Sequence, residues 1–158
     1  MHTHDVTPLP FLISSSWRIG IVHSVFHADI VGRLAAAAER TLKEAGISKS
    51  NIRLYPVAGS FEIPLMGAAL LAAKEIDALI GLGVIVEGET HHARLLAESV
   101  AHGIMNVQIQ YGAPFAFEVL YVDALAQAEA RAGATGNKGE EAARAVITSL
   151  AQLARFRS

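Results

Sequence analysis

Apolar residues in this chain alternate between short unbroken runs and stripes at helical spacing. Residues 19–22 (IGIV) form a compact apolar run, the pattern of a buried strand. Asp29 then stands as a helix cap before a stretch in which Ile30, Leu34, Ala38 and Leu42 share one stripe, ending at Ala45-Gly46. Residues 52–57 read as a second strand, 58–60 as a turn, and 63–75 as an apolar helix opened near Pro64. Residues 77–86 (DALIGLGVIV) are the most apolar strand and are expected at the centre of a sheet. A turn at 88–90 leads into a helix from 91 to about 111, and residues 115–122 are a fourth strand. Asp123 opens a short helix ending at Gly133. A glycine-rich loop over 133–139 precedes a last helix from 140 to about 156.

Strands that alternate with helices need crossover connections, which favours a parallel sheet with helices on both faces. The expected fold class is α/β, a three-layer sandwich around a four-stranded parallel, flavodoxin-like sheet. One domain is expected over residues 17–158. Residues 1–16, with two His, two Pro and a Ser run, read as an N-terminal arm, extended or flexible.

Composition sharpens this picture. Apolar residues make up 52% of the chain but aromatics only 6%, so the core is aliphatic and Ala-rich. The charged fraction of 18% is low for a small domain, and burial in a subunit interface resolves the shortage of polar surface. A net charge of −2 gives no footprint for nucleic acid or an anionic membrane. The absence of cysteine excludes disulfides, thiol catalysis and thiolate metal sites. No apolar run reaches the roughly 18 residues of a membrane span, and the first sixteen residues make a poor signal peptide, so a cytoplasmic location is expected.

In a fold of this kind ligands bind beyond the carboxyl ends of the strands. The segments there are 23–27, 58–62, 87–92 and 118–123. In GVIVEGETHH (83–92) a buried strand runs through a glycine turn into a helix whose first N–H groups lack internal partners, an anion site to which the Thr90 hydroxyl adds a donor. A histidine in that first turn suits proton transfer. His91 and His92 diverge by about 100° around the helix, so only one of them faces a given ligand. The same divergence, with no cysteine at hand, argues against a metal there. Taken alone, such a turn is more often ordinary capping. Glu62, at a helix start, either complements the dipole or accepts hydrogen bonds from a heterocycle. Phe26 either stacks on a planar ring or packs as a staple beside the next helix. His23 and His27 read as plain hydrogen-bonded loop residues. Arg131 and Lys138, around the Gly-Asn-Lys-Gly loop, either hold a phosphate or are simply solvated.

Together these segments resemble the lumazine synthase family from Trp17 onward. The resemblance rests on four ordered motifs: IGIV followed by Phe26, VAGSFEIP, GVIVEGETHH, and RAGATGNKG. It implies that His92 is the catalytic proton-transfer residue and that Phe26 stacks on a pyrimidine. Ser60, Phe61 and Glu62 would line the pyrimidine and ribityl subsite, with backbone contacts from Val84, Ile85 and Val86. Glu89 and Thr90 would stand at the phosphate-binding turn, with Arg131 holding that phosphate, Lys138 nearby, and Phe117 contributed from a neighbouring subunit. It further implies condensation of a ribityl-diaminouracil with a four-carbon ketose phosphate in riboflavin biosynthesis, no cofactor, and a homopentamer or assembly of pentamers. The chain departs from the family pattern at Ala58, where a Pro is usual, and at Glu87, where many members have Arg. Glu118 replaces a common Gly and Tyr121 a common Thr. Side chains of Glu87 and Glu89 are expected to point to solvent. Two other readings use the same scaffold: a non-catalytic lumazine- or flavin-binding protein, and a riboflavin synthase of the archaeal type.

Overall fold

A computed structural model describes residues 8–10 and 12–157. Its elements run β1 (Ile19–Ser24), α1 (Ala28–Glu44), β2 (Ile52–Val57), α2 (Ile63–Ala72), β3 (Ala78–Val86), α3 (His92–Tyr111), β4 (Phe115–Val122), α4 (Leu125–Arg131) and α5 (Lys138–Ala154). Single 3₁₀ turns precede β2 and α2. The expected parallel sheet is present, in the order β2-β1-β3-β4.

β3 lies inside the sheet and is covered on both faces, which is why its sequence is a continuous apolar run. Ala78, Ile80, Leu82 and Val84 point into a cluster with Leu34, Ala38 and Leu42 of α1 and Val146, Ile147 and Leu150 of α5. Leu79 and Ile85 point the other way, into a cluster with Leu70 of α2 and Val100 and Ile104 of α3. Pro56, which has no N–H to give a ladder, sits in β2 at the sheet edge, where that loss is tolerated. At the amino ends of β1 and β3, the Arg18 guanidinium meets both Asp77 carboxylate oxygens, at 3.0 and 3.2 Å, and donates to the Lys74 carbonyl at 2.7 Å.

Several boundaries differ from the sequence reading. β1 extends to Ser24, so His23 is a half-buried strand residue and not a loop residue. Burial holds its imidazole below the usual range, opposed by a backbone hydrogen bond at Ser24. The cap of α1 is His27; Asp29 lies in the first turn and pairs with Arg33 at 3.2 Å. α2 stops at Ala72, three residues early, because the chain turns through Lys74 in the left-handed region. Before α4 the side chain of Gln127, and not Asp123, does the capping, accepting from the amides of Asp123 and Ala124 at 2.8 and 3.3 Å. α5 begins two residues earlier than the glycine pattern suggests, capped by Asn137. Of the N-terminal arm, Met1 to Thr7 and Phe11 lie outside the described residues; Pro8, Pro10 and Leu12 line a groove along α5.

The Gly-Asn-Lys-Gly segment is largely architectural. Gly136 adopts φ 65°, a left-handed turn that suits a residue without Cβ. Asn137 is buried, accepts from the Gly139 amide at 2.8 Å and donates to the Gly133 carbonyl at 3.1 Å. A Cβ on Gly139 would sit 1.9 Å from the Leu34 carbonyl oxygen, so α5 and α1 touch backbone to backbone there. Gly139→Ala must push the two helices apart. The expected loss of stability is about 3 kcal/mol or more, read as a lower denaturant midpoint at fixed protein concentration. An unchanged midpoint would show that the helices part freely.

Candidate active site

β1 and β3 part company at their carboxyl ends. The β1–β3 ladder stops at His23↔Leu82, whereas β3 stays paired with β4 as far as Val86↔Val122. From Gly83 to Val86, therefore, the β3 backbone edge that faces β1 has no strand partner. This is also where the strand order reverses, since the chain passes from β1 outward to β2 and then returns to the far side of β1 as β3. Crevices at such switch points are the usual ligand sites of open parallel sheets. The side chains of Val84 and Ile85 are buried in opposite cores, so these residues present only backbone to the crevice; Val86 is half-buried.

Two loops rise beside this edge. Ser24 ends β1, and Phe26 follows with 65% of its surface exposed; Phe61 projects from the loop after β2, 63% exposed. Between them lies Gly59. A Cβ there would be 3.7 Å from two ring carbons of Phe26 and 3.3 Å from Glu62 Oε2, so the ring and the carboxylate flank the same backbone. Ser60 is buried against β3, its Oγ 2.3 Å from where a Gly83 Cβ would stand. That contact explains Gly83: only a residue without a side chain lets the Ser60 turn seat on the strand. Two exposed rings beside a half-buried carboxylate make a surface suited to a planar, N–H-bearing heterocycle.

On the other side of the crevice, β3 leads through Glu87 to Thr90 into α3. The cap residue His91 makes no side-chain hydrogen bond, and Thr90 Oγ1 receives the His92 amide only at 3.4 Å. Thr90 Oγ1 accepts there, which leaves its O–H to donate. The first-turn N–H groups of α3 are otherwise open, and His92 is exposed beside them. Glu89 is exposed as expected, but Glu87 is half-buried and folds back to accept the Gly88 amide at 3.3 Å.

The remaining expected site residues lie elsewhere in the chain. Phe117 pairs with Gly81, two residues below the start of the free β3 edge at Gly83, so it sits about 7 Å down the sheet from the crevice and one strand outward. It is on the edge strand and exposed. Arg131 ends α4, exposed, with Nη1 donating to the Gln127 carbonyl of its own helix at 2.9 Å. Lys138 opens α5 and pairs with Glu141 at 2.6 Å. One chain thus groups Phe26, Ser60, Phe61, Glu62, Val84 to Val86, Glu89, Thr90 and His92 at the crest of β1–β3. Phe117, Arg131 and Lys138 belong to the β4 flank.

Fold and crest define an α/β scaffold of flavodoxin-like type, with two exposed rings and a carboxylate beside an open helix start. A family model described as 6,7-dimethyl-8-ribityllumazine synthase matches residues 16–154. The Stenotrophomonas maltophilia (strain K279a) protein of that name is 41% identical over 133 residues, covering 84% of this chain and 86% of its own length. The namesake from Ruthia magnifica subsp. Calyptogena magnifica is 37% identical over 139 residues, with coverages of 84% and 83%. The namesake from Parabacteroides distasonis is 39% identical over 131 residues, with 82% of each chain covered. The chain belongs to the 6,7-dimethyl-8-ribityllumazine synthase family. Among the described residues no helix is long and apolar enough to cross a membrane, and no group of three His, Cys, Asp or Glu could hold a metal ion.

The sequence reading marks Glu118 only as a departure from the family pattern, without its burial. Glu118 is half-buried on β4 and shares the α5 face with Ala116 and Leu120. Burial pushes its carboxyl up to about 7; Lys138 opposes the shift and Glu141 reinforces it. An acid held above its ordinary range binds its proton more tightly when the chain is folded, so stability falls as pH rises from the ordinary value of 4.5 to about 7. Glu118→Gln removes that cost. The variant should exceed the parent by on the order of 1–3 kcal/mol at pH 8, shrinking to near zero by about pH 4.5, in denaturant titrations at both pH values. A gap independent of pH would assign the effect to packing.

Proposed function

We propose that this chain condenses 5-amino-6-(D-ribitylamino)uracil with 3,4-dihydroxy-2-butanone 4-phosphate to 6,7-dimethyl-8-ribityllumazine, releasing phosphate and water. The observation that carries the reading is the crest itself. Exposed rings and a carboxylate stand on one side of an unpaired strand edge, and an open helix N-terminus with a histidine stands on the other. The pyrimidine lies against Phe26, its N–H groups answered by Glu62 and its polar edge by the free backbone of Val84 to Val86. Ser60 and Phe61 border the ribityl chain. Thr90, Glu89 and the amides of the α3 start frame the phosphate subsite.

The uracil amine attacks the ketose carbonyl, and loss of water gives an imine. Loss of a proton and of phosphate gives an enol, which tautomerises; the second nitrogen then closes the ring with loss of water. Each step moves protons and develops anionic charge, which is work for His92 and for the phosphate subsite. Binding both substrates side by side supplies the rest.

A second copy completes the site in this reading, bringing Phe117, Arg131 and Lys138 to the crest of its neighbour. Phe117 sits on the outer edge strand, below the register at which its own crest begins, and is exposed. Leu65, Leu95, Met105, Ile109 and Tyr121 are also uncovered in a single chain. A homopentamer, alone or in a larger assembly of pentamers, is the arrangement proposed, and a cytoplasmic location goes with it.

Lumazine formation above the spontaneous rate tests the reading. His92→Ala should lower turnover by about 10²-fold with the assembly unchanged in size. Arg131→Ala should raise KM for the ketose phosphate by roughly 10-fold or more and leave the pyrimidine KM alone. Tight pyrimidine or flavin binding without turnover would make the chain a binder. Riboflavin formed from lumazine alone would make it a riboflavin synthase.

A further inference from the structure

Phe26 is exposed, yet its backbone is held more tightly than an exposed residue needs. Ser24, only 2% exposed, turns its hydroxyl back to accept the Phe26 amide at 3.1 Å. The next amide, Val25, donates to the Val57 carbonyl of β2 at 3.0 Å. The residue after Phe26, His27, stands at φ 52°, ψ 46°. That left-handed conformation is uncommon for a residue with a Cβ, though histidine enters it more readily than most. His27 is the cap of α1, yet its side chain makes no capping hydrogen bond, while its carbonyl accepts the Val31 amide at 3.0 Å. The imidazole thus does nothing for the helix that its backbone does not already do.

These constraints act at one place. They fix where the chain leaves β1, and so the height of the Phe26 ring over Gly59 and beside Glu62 Oε2. Phe26 belongs to neither core cluster. Beyond the ring's approach to Gly59, its position is set by the backbone on either side of it.

We propose that Ser24 and His27 are positioning residues for the ring substrate, holding Phe26 against the Gly59–Glu62 surface with its exposed face free to stack. Ser24 acts through its hydroxyl and His27 through its left-handed backbone, not through its imidazole. This rests on the crest being the pyrimidine subsite.

The test compares His27→Gly, His27→Asn, His27→Val and Ser24→Ala. It measures steady-state KM for each substrate, kcat, and direct calorimetric binding of the ribityl-diaminouracil. Gly and Asn enter the left-handed region readily and valine does not. The expected result is that His27→Val weakens pyrimidine binding and raises its KM by about 10-fold. Ser24→Ala should raise that KM several-fold. The ketose phosphate KM should stay within about two-fold, and His27→Gly and His27→Asn should restore parental affinity. Equal losses in all His27 variants would mean that the imidazole itself contacts substrate, and would overturn the proposal. So would parental affinity in a folded His27→Val protein. Calorimetry keeps the two readings apart: a parent that binds the pyrimidine without turnover fails as an enzyme but still tests the positioning. A parent that does not bind it at all sinks both.

Discussion

The site depends on a mismatch of strand lengths. β3 has nine residues and β1 has six, and their shared ladder ends four residues before β3 does. Each backbone N–H and C=O withdrawn from water has to find a partner, and in a continuous sheet it finds one in the next strand. Here β1 turns away at Ser24, leaving the upper edge of β3 with bonding capacity inside an otherwise dry, apolar framework. That edge cannot wander, because Val84 and Ile85 are locked into opposite cores and β4 holds its other side. The result is a rigid, preorganised row of polar backbone groups, which suits a heterocycle that must be held in one orientation while protons move.

The glycines serve the same geometry. Gly83 lets the Ser60 turn seat on β3, and Gly59 clears the floor between Phe26 and Glu62. Far from the crest, Gly139 brings α5 against α1, which fixes the start of α5 and with it Lys138. A motif that looks in sequence like a phosphate loop is thus mostly a docking device for a helix. Of its four residues, only Lys138 keeps a side chain available for chemistry.

The sheet was legible because periodicity records burial. An apolar run bounded by turns has few alternatives, and β2, β3 and β4 fall within a residue of their expected limits. Helix starts were less legible, because a cap is chosen by three-dimensional hydrogen bonding. Asp29 has the right side chain for a cap, but the chain enters α1 through a left-handed His27. The site was half legible. Local motifs mark Phe26, Glu62 and His92, since strand ends and helix starts can be read from order alone. That Ser24 tethers Phe26, or that Glu118 lies in the electrostatic reach of Lys138, depends on which face of β1 or β4 a residue occupies and on what packs over it. No spacing in the sequence encodes that.

The division of the site into two groups also has an electrostatic logic. The crest carries Glu62 and Glu89, the one arginine in the first turn of α3, Arg94, is paired with Glu98, and the β4 flank carries Arg131 and Lys138. Within one chain each cation is already engaged, Arg131 with the Gln127 carbonyl and Lys138 with Glu141 and the field of Glu118. A phosphate arriving at the crest of an isolated chain would meet helix amides, Thr90, His92 and carboxylates, with Arg94 already paired to Glu98. Half-engaged cations are cheap to redirect toward a stronger acceptor, since an exposed bond from Arg to a carbonyl contributes little in water. A neighbouring copy's flank would supply the missing positive charge without a cation having to be buried unpaired in the free chain. In the proposed assembly the site would gain its full electrostatic character only when copies meet, which would tie substrate affinity to the contacts covering the apolar faces of α2, α3 and β4 that a single chain leaves exposed.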